Sequence, residues 1–108
     1  MGHIAITPSQ GRWVARAGDN VIADTTAALE LREGGGPPVI YIPRADAMMD
    51  KLTRTDRVTS CPHKGVASYY SAPGQDNAIW TYESPKHDVA AIGGHLAFYT
   101  SKIALERA

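Results

Sequence analysis

Apolar and polar positions alternate along most of this chain in short runs, and glycine or proline closes nearly every one of them. An alternation of period two puts successive side chains on opposite faces of an extended strand, so the pattern predicts strands rather than long helices. Ile4 to Ile6 forms the first run and stops at the turn residues Pro8, Ser9 and Gly11. Trp13 to Ala17 and Val21 to Asp24, joined through Gly18-Asp19-Asn20, read as a hairpin. Val39 to Ile42 is a β-branched and aromatic run stopped by Pro43, as expected of a buried strand.

Pro62 disfavours the helical region for Cys61, and Gly65 takes a positive φ at little cost. The chain is therefore expected to turn over Pro62 to Gly65 and leave as a strand. Val66, Ser68 and Tyr70 would share one face of it, Ala67 and Tyr69 the other. PGQDN reads as a loop or hairpin turn, followed by Ala78 to Glu83 with Ala78, Trp80 and Tyr82 on one face. Ser84-Pro85 breaks that strand, His95 to Tyr99 alternates again, and Ile103 to Leu105 reads as a last edge strand.

Three segments do not fit a simple strand pattern. TTAALELREGGG mixes good helix formers with an alternation at Leu29 and Leu31, so propensity alone leaves it open. Pro43 ahead of Arg44 to Met49, and Asp88 within HDVAAI, predict about one helical turn each. DKLTRTDRVTS is polar, with Thr55 and Asp56 read as turn residues feeding Cys61. The pattern predicts an all-β, mainly antiparallel fold of seven or eight short strands with one or two single-turn helices, in a single domain over residues 1–108.

Composition narrows the function more than the fold. Eleven basic and eleven acidic residues cancel and are interspersed, so no basic footprint invites nucleic acid or an anionic membrane. One cysteine forms no internal disulfide, which suits a reducing compartment. No basic and apolar leader opens the chain, and no apolar run approaches the ~20 residues of a membrane-spanning helix, so a cytoplasmic location is expected. Gly2 does not read as a myristoylation site, because Ile6 stands where serine or threonine is wanted.

The densest chemistry lies in CPHKGVASYYS, Cys61 to Ser71. Cys61 is a candidate nucleophile, with His63 as base and Lys64 as electrostatic support, since neighbouring cations favour a thiolate. The plainer reading is a buried thiol packing as a small hydrophobe. Lys64 and Arg44 each follow a strand-ending break and are candidate anchors for a carboxylate or phosphate, unless each pairs with Asp46, Asp50 or Asp56. Trp80, Tyr82, Tyr41 and Tyr70 are candidate pocket walls beside the Gly65 turn, their alternative being ordinary core.

Cys61, His63, His87 and His95 lack the paired Cys-x-x-Cys of a zinc ribbon, so no metal or other cofactor is expected. The leading expectation is a module binding a small anionic or planar ligand near Cys61 to Gly65. The alternatives are a thiol-dependent enzyme and an interaction module whose edge strand pairs with a partner or with its own copy as a homodimer.

VIADTTAAL, PPVIYIPRADAMM, TDRVTSCPHKGVASYYS, AIWTYESP and IGGHLAFY, in that order, resemble the bacterial family known as domain of unknown function 427, sometimes labelled nucleotidyltransferase-like. The resemblance covers essentially the whole chain and centres on Cys-Pro-x-Lys-Gly before an aromatic pair. His63 stands where the family has tyrosine, and Tyr70 where tryptophan is usual. The resemblance implies a small domain similar to the β-tent architecture, and with it an extended conformation for Thr26 to Leu31. The label itself is no argument for nucleotidyl transfer.

Overall fold

Ten strands carry most of the chain in this computed structural model, which describes residues 3–108. They are β1 (Ile4–Pro8), β2 (Trp13–Ala17), β3 (Asn20–Thr25), β4 (Leu29–Glu33), β5 (Val39–Tyr41), β6 (Thr53–Cys61), β7 (Gly65–Ala72), β8 (Gln75–Thr81), β9 (Leu96–Phe98) and β10 (Ala104–Arg107). Every pairing between them is antiparallel, in three sheets of order β1-β4-β5, β10-β2-β3 and β6-β7-β8-β9. The all-β expectation holds. The readings at Met1 and Gly2 lie outside the described residues.

The predicted single turns near Arg44 and in HDVAAI become 3-10 pieces at Arg44–Asp46, Met49–Lys51 and His87–Ile92. The ambiguous TTAALELREGGG resolves as strand β4 from Leu29, because β1 and β5 pair with it on both sides and override its helical propensity.

Asp50 to Ser60 corrects the sequence reading. Its polar residues do not form a turn but most of β6, a nine-residue strand at the edge of the four-stranded sheet. An edge strand exposed on much of both faces has no apolar stripe to betray it. Thr55 to Arg57, which held the apparent turn signal, are the site of a register shift between Arg54 and Val58.

Alternation in β7 and β8 sorts side chains into two apolar layers. Tyr70, Ile79, Leu96 and Phe98 join Ala15, Ile22, Ile42 and Ile103 in one layer. Ala67, Tyr69, Tyr82 and Ala97 join Leu31, Tyr41, Val89 and Ile92 in the other, with Trp80 packed against them. Ala78 falls in the first layer and Trp80 in the second, so the expected common face of Ala78, Trp80 and Tyr82 holds only for the last two. A reciprocal backbone pair, Ile42 N–H to Leu96 O and Leu96 N–H to Ile42 O, both 2.8 Å, ties the β5 end to β9.

Candidate functional site

Facing strands of two sheets enclose the main cleft. Leu29 pairs with Tyr41 and Leu31 with Val39 across β4 and β5, so Leu31, Glu33, Val39 and Tyr41 line up on one wall. Tyr69 pairs with Trp80 across β7 and β8, and with Tyr82, Tyr99 and Lys64 these form the other wall. The cleft between them has a volume of about 470 Å³, within the usual range of small-ligand sites.

Aromatic rings dominate it. Trp80 and Tyr99 lie with centroids 4.6 Å apart and planes tilted by 49°. Tyr99 is 37% exposed, an open ring surface at the mouth. Trp80 Nε1–H donates to the Tyr41 hydroxyl at 3.4 Å, and the Tyr69 hydroxyl lies 2.9 Å from Thr59 Oγ1. Burial, reinforced by the nearby Cys61 and Glu33, pushes the Tyr41 phenol up to about 12 against the bond from Trp80; burial likewise raises Tyr82 to about 12. Both phenols therefore stay protonated at neutral pH.

One end of the cleft carries charge. Lys64 Nζ donates to Glu33 Oε1 at 2.7 Å, joining the β6–β7 turn to the end of β4. Side-chain exposure is 12% for Lys64 and 33% for Glu33. An ammonium has three donors and a carboxylate several lone pairs, so the pair retains a free donor next to a free acceptor. Lys64 Nζ also lies 3.8 Å from Cys61 Sγ.

This ion pair sets a pH dependence. The hydrogen bond from Lys64 holds the Glu33 carboxyl below its ordinary value, overcoming the effect of burial. A folded value below the unfolded one stabilises the fold above the unfolded carboxylate range near ~4.3, and that stability is lost as pH falls through the lower folded value. Lys64→Met is thus expected to lower the unfolding free energy from urea titration at pH 7 by about 1 kcal/mol or less, since Glu33 stays partly in water. The gap to the parent protein should shrink as pH falls from 5 to 3. A gap that stays constant over that range would assign the loss to packing rather than to charge.

The structure brings together four of the residues picked from the sequence, Tyr41, Lys64, Trp80 and Tyr82, and separates the rest. Tyr70 lies on the opposite face of β7, in the other apolar layer, with Arg44 donating to its hydroxyl at 3.1 Å and lying 5.6 Å from its ring centroid. Arg44 therefore does not converge with Lys64, and Lys64 pairs with Glu33 rather than with Asp46, Asp50 or Asp56. Gly65, at φ 114° and close to the Ser84–Lys86 backbone, borders a shallower depression with Cys61 on the outside of the hairpin.

Cys61 is half-buried, and His63 is exposed and makes no hydrogen bond to it among the described residues. Among those residues no group of three histidine, cysteine or acidic side chains is placed to hold a metal ion, and no helix is long and apolar enough to cross a membrane.

The sequence profile described as domain of unknown function (DUF427) matches residues 5–108. This chain belongs to the DUF427 family. A comparison with curated proteins finds no match. In this DUF427 chain the sequence reading missed Glu33, Tyr69 and Tyr99 as parts of the cleft. Tyr69 had a signal, its alternation with Tyr70, whereas Glu33 is 31 residues from Lys64 and had none.

Proposed function

We propose that this protein binds a small planar ligand in the cleft between β4–β5 and β7–β8. The observation that carries the reading is the aromatic lining of Tyr41, Tyr69, Trp80, Tyr82 and Tyr99 around a cleft closed at one end by the Lys64–Glu33 pair. The half-buried Trp80 and the exposed Tyr99, both lining the cleft, suit stacking on a flat ring. Because Glu33 neutralises Lys64, that end favours a neutral edge with an acceptor beside a donor, as in a lactam, over a bare anion. Such an edge meets the spare ammonium proton and the spare carboxylate lone pair together.

Titration of the labelled protein with 2-pyridone, followed at the Trp80 Nε1–H signal by NMR, tests the proposal against the non-aromatic lactam 2-piperidone. Saturable shifts with 2-pyridone and weaker ones with 2-piperidone are expected. Equal responses to the two would remove the stacking element. A silent Trp80 signal with both would remove the planar-lactam reading.

A further inference from the structure

Beyond Tyr99 the cleft meets a second depression, of about 340 Å³, lined by Arg57, Asp76, Asn77, Tyr99, Ser101 and Lys102. Tyr99 is the wall common to the two. The depression is rich in hydrogen-bond donors. Arg57 and Lys102 make no ion pair among the described residues. Arg57 lies 5.0 Å from the centroid of the Tyr69 ring, itself a wall of the main cleft, and Lys102 Nζ donates to the Asp76 backbone carbonyl at 2.7 Å.

Asn77 adds a neutral donor. It is the one non-glycine residue with positive φ among the described residues, at 49°. Two bonds hold it there: its N–H donates to Ser71 Oγ at 3.0 Å, and its Oδ1 accepts from the Thr55 hydroxyl at 2.6 Å; Thr55 Oγ1 in turn accepts the Arg57 N–H at 3.2 Å. With Oδ1 occupied, the Asn77 side-chain NH2 is left without a partner among the described residues, as is the Ser101 hydroxyl. Thr55 ties the backbone of Arg57 to the side chain of Asn77.

We propose that this depression is an anion subsite that takes a phosphate or a similar oxyanion carried by the ligand whose planar part lies in the main cleft. Guanidinium, ammonium, amide and hydroxyl donors around one hollow match the acceptor oxygens of such a group. Asp76, which also lines the hollow, is the acidic group that opposes the anion. The inference rests on the planar-ligand reading, and it adds a direction: the tail of the ligand runs past Tyr99 towards Arg57 and Lys102.

Uridine carries a lactam edge, and uridine 5′-monophosphate adds the phosphate alone. At constant ionic strength the monophosphate is expected to bind about tenfold more tightly, a gain moderated by the exposure of both cations. It should also shift the backbone amides of Asn77, Ser101 and Lys102. The Arg57→Gln, Lys102→Gln double variant should bring the affinity of the monophosphate down to that of uridine measured in the same variant.

Equal affinities for the two compounds would overturn the anion subsite while leaving the cleft reading in place. If neither moves the Trp80 signal, the cleft reading fails for this ligand, and inorganic phosphate decides the subsite alone. Phosphate-induced shifts at Asn77, Ser101 and Lys102 that vanish in the double variant would retain it, and their absence would overturn it.

Discussion

Trp80→Ala is expected to weaken 2-pyridone binding by about ten- to a hundredfold, the range typical when one stacking ring is removed. In the proposed mode the indole stacks on the ligand; it also meets Tyr99 at 4.6 Å and caps the buried Tyr41 hydroxyl through Nε1–H. Alanine removes all three at once. Trp80→Phe separates them, because it restores a ring without the N–H donor. Affinity within a few-fold of the parent in the phenylalanine variant would show that the ring face matters most. Calorimetric titration of the three proteins makes the comparison, and parent-like affinity in Trp80→Ala would remove the cleft as the binding site.

Leu96→Ala is expected to have the largest effect on stability, about 3–4 kcal/mol. The side chain is 0% exposed and packs with Ile42, Ile79 and Phe98, and its backbone forms the reciprocal pair with Ile42. Deleting most of a side chain in that position leaves a hole that neighbours on two sheets cannot close together. For a chain of this size the loss corresponds to a fall in melting temperature of about 12–20 °C. Val58→Ala is the contrast: Val58 is exposed at the β6 edge and should change stability by no more than about 0.5 kcal/mol. Urea denaturation with an unchanged slope would confirm both; a loss below about 1 kcal/mol in Leu96→Ala would show that the junction repacks.

Much of the strand pattern was readable because half-buried strands write their burial into alternation. β2, β3, β5 and β7 lie close to where the runs of apolar residues place them, whereas β8 runs from Gln75 to Thr81, starting inside the stretch read as a loop and stopping short of Glu83. β6 was not readable, since a polar edge strand with a bulge carries the same residues as a loop. Nor was the identity of β4, where the deciding factor was pairing with strands far away in sequence.

The cleft shows the same division. Taken one strand at a time, the sequence offers Tyr70 as a wall no less than Tyr69. The Pro73-Gly74 turn, however, pairs Ala72 with Gln75, so odd-numbered positions of β7 share a face with even-numbered positions of β8, except at Ala78, which falls within the register shift. The register shift between Tyr70 and Ala72 preserves that parity, and Tyr69 comes opposite Trp80. Had the turn been used to set the register, Tyr69 would have been chosen. Arg44 had no comparable signal, because its position follows from which way the chain leaves Ile42 after the bridge to Leu96.

The two walls of the cleft belong to different sheets, β1-β4-β5 and β6-β7-β8-β9, and a ligand between them touches both. An occupant bound only by the assembled walls adds its binding free energy to folding by mass action, about 2.7 kcal/mol at a hundred times its dissociation constant. The free chain is then the weaker member of a pair of states. If the proposed ligand is bound in a cell, the lifetime of the chain would follow that ligand's concentration.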